Sequence, residues 1–84
     1  MNHEYRLVKV TWQDSRLPDD GWQRVDDIGE VKPTICETVG WLIRDENGLL
    51  ILASSITHDE DGVAIVLGVH DIPSRVVDEI VDLK

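Results

Sequence analysis

Ile72-Pro73-Ser74 stands between two valine-rich runs, and it restricts the fold of this chain more than any other stretch. Pro73 has a fixed φ and no N–H to give to a sheet ladder. Its ring also pushes Ile72 toward extended backbone. The chain must therefore leave one strand at this point, turn tightly and begin a short last element. A turn of this kind closes a small five-stranded barrel. The residues after it leave an alternative, because Val76, Val77, Ile80 and Val81 also match helical spacing and Ser74 is a helix-capping type. A 3₁₀ turn and a strand over 77–82 is the reading adopted. Every earlier element reads as a strand, and a fifth is needed to complete the sheet.

Those earlier elements follow from composition and punctuation. Residues 5–12, YRLVKVTW, are rich in β-branched and aromatic types and predict a first strand. Residues 35–44, 49–55 and 63–70 predict the next three. Asn47-Gly48 lies between two apolar runs and tolerates positive φ, a strong hairpin signal. His58-Asp59-Glu60-Asp61-Gly62 predicts a second polar turn. Residues 13–34 differ: Asp14, Ser15, Pro18, Asp19, Asp20, Gly21, Gly29 and Pro33 break elements and favour turns. A connection of that length is unusual in a small domain and points to a functional loop. A helical turn within 22–28 is a weaker expectation. The whole, residues 1–84, is expected to be one all-β domain with 13–34 as its long loop.

Composition narrows the function classes. Eighty-four residues suit one domain and one small core. Seventeen acidic against eight basic residues leave a net charge of −9. Direct nucleic-acid binding through phosphates and docking on anionic membranes are both disfavoured by that charge. The natural electrostatic partner is a protein with a basic surface. No apolar run is long enough to span a bilayer, and the first residues do not resemble a signal peptide. Cys36 is the only cysteine, which rules out an internal disulfide and fits a cytoplasmic setting.

Leu49–Ala53 and Val63–Val69 are apolar at alternate and intervening positions alike. A strand with one wet face should alternate. No amphipathic helix is present to cover the second face. The cover is therefore either the 13–34 loop or another copy of the chain, which makes a homo-oligomer an expectation.

The order of elements, with Ile72, Pro73, Ser74, Val77 and Ile80 at its end, resembles the Src-homology-3-like barrel. That resemblance implies five strands, a long loop after strand 1 and a 3₁₀ turn before the last strand. Peptide-reading members carry aromatic residues where this chain has Leu49, Leu50 and Val76. Polyproline recognition needs an aromatic groove, so that activity is not expected. Asp14, Ser15, Gly21, Trp22, Val39, Gly40, Trp41, Leu42, Ile72 and Pro73 also follow a pattern similar to short accessory proteins of tailed phages and prophages. This second resemblance implies a non-enzymatic protein acting in a bacterial cytoplasm, where such proteins often bind a host protein or another viral component.

Five residues form the expected binding surface: Asp14, Asp19, Asp20, Trp22 and Trp12. Trp is a favoured interface anchor, and here it stands beside acidic residues. Trp22 is read two ways, as a pin holding the loop to the barrel or as a contact for a partner. Trp12 is divided between core edge and surface, and Trp41 is assigned to the core. Asp26, Asp27, Glu30, Asp59, Glu60 and Asp61 lack calcium-loop spacing and read as solvated turns. His58-Asp59 and His70-Asp71 lack the further ligands of a metal centre. Cys36 reads as a buried structural thiol, with no basic neighbour in sequence to activate it. No catalytic residues, metal or cofactor are expected. The alternative function is an oligomeric small-molecule or nucleotide-binding protein. Its inter-subunit pocket would use Trp12, Trp41 and Gly40, with Arg6, Arg16, Arg24, Arg44 and Arg75 converging on an anion.

Overall fold

Alternation along the strands decides which side chains make the core, and the turns decide where each strand ends. The computed structural model describes residues 5–14, 21–30 and 32–83. They form β1 (Arg6–Asp14), a 3₁₀ turn η1 (Val25–Asp27), β2 (Thr34–Glu46), β3 (Leu49–His58), β4 (Ala64–Pro73), a 3₁₀ turn η2 (Ser74–Val76) and β5 (Val77–Asp82). All five strands belong to one antiparallel sheet in the order β4-β3-β2-β1-β5. The all-β class, the five strands and the 3₁₀ turn before the last are as the sequence predicts. The weaker expectation of a helical turn is met by η1.

Asn47 and Gly48 both take positive φ, 54° and 75°, and connect β2 to β3 as a tight hairpin. At the same end of the sheet, η2 brings Ser74 N–H to the Gly48 carbonyl at 2.9 Å. Ser74 makes no side-chain cap there. The turn is therefore fastened through its backbone, and the helix alternative falls because Val77–Asp82 pairs with β1.

Val8 and Val10 from β1, Leu50 and Leu52 from β3, and Ile72 from β4 are fully buried together. Trp12, Leu42, Val76, Val77 and Ile80 pack around them. β1 is a neighbour of neither β3 nor β4 in the sheet, so the sheet must curl to bring these residues together. Gly40 permits this on β2: a Cβ there would stand 2.9 Å from the Ala53 carbonyl oxygen. The curl also brings Trp12 on β1 edge-on to His70 on β4, with ring centroids 6.0 Å apart. The sheet is thus rolled, with β4 and β5 as its two edges, joined by η2.

Two irregularities shape the sheet. β2 bulges between Leu42 and Arg44, and the β1–β5 register shifts between Thr11 and Trp12. Bulges add local twist, which helps a small sheet to roll. The β2–β3 ladder runs from the hairpin only to Trp41 opposite Ala53. Past that rung the strands separate. β2 continues against β1 alone as far as Thr34, and β3 against β4 alone as far as His58. The outline is elongated, 59 × 24 × 20 Å with a radius of gyration of 17.1 Å. A compact chain of this length would have a radius of about 12 Å.

The register corrects the assignment of Trp41 to the core. Trp41 stands opposite Leu7 and Ala53 on the outer face, because its neighbours Gly40 and Leu42 face inward opposite Val8 and Leu52. Trp41 is half-buried there and covers part of Ala53's face.

Candidate protein-docking surface

The described part of the long loop, residues 21–30, is exposed at every position. It holds its shape through two local bonds: Asp27 N–H donates to the Arg24 carbonyl at 2.9 Å, and Ile28 N–H to that of Val25 at 3.2 Å. Trp22 is fully exposed, Val25 is 83% exposed and Ile28 is 42% exposed. Asp26, Asp27 and Glu30 are interleaved with them, and Lys32 reaches Glu30 at 3.7 Å. The segment therefore presents three apolar side chains among carboxylates. Trp22 does not pin the loop to the sheet, because full exposure leaves its ring no packing contact. For the same reason this part of the loop does not cover the sheet's second apolar face.

The other expected binding residues are placed differently. Asp14 ends β1, half-buried opposite Thr34. Asp19 and Asp20 lie outside the described residues. Trp12 belongs to the core wall: its indole N–H donates to Thr38 Oγ1 at 2.9 Å and its ring meets His70. Trp12 and Asp14 share the inner face of β1, whereas Trp22 stands on a separate exposed segment.

The same register bears on the alternative pocket. Trp12 lies on the face of Val8 and Val10, and Trp41 on the face of Leu7. Within one protomer they sit on opposite sides of the sheet and line no common cavity. Two of the arginines are engaged singly, Arg6 with Asp82 at 2.7 Å and Arg44 with Glu46 at 3.6 Å. The Asp82 hydrogen bond, then its charge, raises the Arg6 pKa above the ordinary arginine range. Both partners are more than half exposed, so this ion pair adds little to stability.

Among the described residues, no three His, Cys, Asp or Glu side chains gather as a metal would require. Cys36 is half-buried rather than buried, and its thiol points to the Thr34 carbonyl at 3.8 Å. Asp59 is more than a solvated acid. Its Oδ1 accepts from the N–H groups of Asp61 and Val63, both at 2.9 Å, and holds the β3–β4 turn together. No described helix is long and apolar enough to cross a membrane.

Sequence reasoning missed the residues of the outer face. Val39, Ile65, Leu67 and Val69 are each at least half exposed. The doubly apolar strands signalled such a face, but only the register shows which positions meet on it. A shallow apolar depression of about 280 Å³ lies on the same hairpin, lined by Ser55, Ile56, Thr57, Ile65, Val66 and Leu67. No family model, curated protein or solved structure matches this chain.

Proposed function

We propose that this chain is a non-enzymatic protein-interaction domain whose acidic, tryptophan-bearing loop docks on a basic protein surface. The resemblance to phage accessory proteins supports a bacterial cytoplasm as the setting and a host or viral protein as the partner. The observation that carries the reading is the full exposure of Trp22 beside Val25 and among carboxylates. An exposed indole is costly to leave in water, and at an interface it is a favoured anchor. Carboxylates around it steer the encounter with a basic partner and are screened by salt.

The test is an affinity pull-down from bacterial lysate at low and high salt. The wild-type chain is expected to retain a defined partner that high salt releases. Trp22→Ala combined with Asp19→Asn and Asp20→Asn is expected to abolish the capture. Unchanged capture by that variant would show that the loop is not the docking surface.

A further inference from the structure

We propose that the distal β3–β4 hairpin is a dimerisation arm, whose apolar outer face packs against the same face of a second copy of this chain. The surface is distinct from the acidic loop and does not depend on it.

The arm begins where β2 departs. Beyond Ala53 opposite Val69, the ladder continues through Ser55–Leu67, Ile56–Val66 and Thr57–Ile65 to His58–Ala64, with no third strand beside it among the described residues. An isolated two-stranded hairpin is marginally stable in water. This one is also apolar on both faces. Ile56 and Val66 share one side, while Ile65, Leu67 and Val69 share the other, at 50, 72 and 58% exposure. The outer side runs on without a break onto the main sheet. There, Leu7, Trp41, Ala53 and Val69 lie in register across four strands, flanked by Val39.

Two observations select a second copy as the occupant, and a third sets the orientation of the arms. The chain carries a net charge of −9, yet neither Leu49–Thr57 nor Val63–Val69 contains a single ionisable side chain. A basic partner would be drawn to the acidic surfaces and gain nothing here. The hairpin part of the patch is neutral, and Lys9 and Glu37, which flank Val39 on the main sheet, pair with each other at 3.2 Å, so the arm can meet its own copy about a two-fold axis without opposing like charges. The second observation is extent. Arm and sheet face together carry four large apolar side chains that are at least half exposed, Val39, Ile65, Leu67 and Val69, in a strip that crosses four strands, and a standard interface takes on the order of 800 Å² from each partner. The third is the tip, where Asp59, Glu60 and Asp61 cluster. Parallel arms would bring two such clusters together. Antiparallel arms keep them far apart, with Leu67 near the axis and Ile65 facing the partner's Val69.

Sedimentation velocity on the full chain across a concentration series tests the proposal. The wild type is expected to be a dimer, more so at high salt, where repulsion between acidic protomers is screened. Leu67→Asp should weaken association about 100-fold or more, since each dimer loses two buried leucines. Its circular dichroism should still report the sheet, because Leu67 is exposed in the protomer. A second pair of variants reads proximity rather than affinity. In a Cys36→Ser background, Leu67→Cys should form a disulfide-linked dimer on mild oxidation, and Glu60→Cys at the tip should not. A wild type that stays monomeric throughout would overturn the proposal and leave the face to another partner. So would a dimer indifferent to Leu67→Asp, or cross-linking through Glu60→Cys in preference to Leu67→Cys.

Discussion

Gly68 carries two demands that no other residue type meets. Its φ is +70°, and a Cβ there would overlap the Ser54 hydroxyl, which itself donates to the Leu67 carbonyl at 3.0 Å. Gly68→Ala should therefore destabilise the chain by about 2 kcal/mol or more, through left-handed strain and through the clash. Chemical denaturation of the variant measures this. Adding Ser54→Ala should recover only part of the loss, because the strain in φ remains. Full recovery would mean that the clash alone matters. Trp12 illustrates the converse case, a residue whose chemistry could serve an interface but is spent in the fold. Its N–H is satisfied by Thr38, and its ring closes the core beside His70. Trp22 has neither constraint, which is why the binding reading rests on it.

The β3–β4 hairpin is held at its tip by Asp59. Besides the two bonds to its carboxylate, its N–H donates to the Val63 carbonyl and its own carbonyl accepts from Gly62, both at 3.0 Å. Asp59→Ala should cost about 1 kcal/mol and raise hydrogen exchange across Thr57–Ile65. Asp59→Asn keeps an acceptor oxygen in place and should stay close to wild type. Equal losses in both variants would mean that charge, not the acceptor geometry, holds the turn. If the arm is the dimerisation element, this fraying should also weaken dimers, which links a local turn to assembly. The β2–β3 hairpin behaves differently. Its Asn47-Gly48 turn is clamped from outside by Ser74, so closing the rolled sheet supports it.

The two proposed surfaces should answer salt in opposite directions. Capture of a basic partner through the acidic loop should weaken as salt rises, because the attraction is between exposed charges. Self-association through the neutral arm should strengthen, because the net charge of −9 repels a like copy and salt screens that repulsion. Thermal stability should also rise modestly with salt, since the described ion pairs are largely exposed and give up little. One salt titration, followed by pull-down, sedimentation and thermal melting together, checks all three signs. Partner capture and self-association that moved in the same direction would mean that one surface serves both.

Much of this architecture is written locally. Pro73 dictates a strand end, Asn47-Gly48 a hairpin, and the β-branched runs their strands, because φ restriction, positive φ and side-chain shape act within a few residues. The doubly apolar strands likewise announce an uncovered face. Tertiary structure alone decided which residues lie on it. The bulge past Leu42 resets alternation along β2 and Gly40 takes the inward position, so Trp41 looks like core in sequence and faces outward in the sheet. It also decided that Trp12 packs at the core and Trp22 stands exposed, since burial depends on strands distant in sequence. The point where β2 leaves β3, and hence the arm, follows from how far the sheet must roll to enclose five buried side chains. That is a property of the packed whole, and no segment encodes it alone.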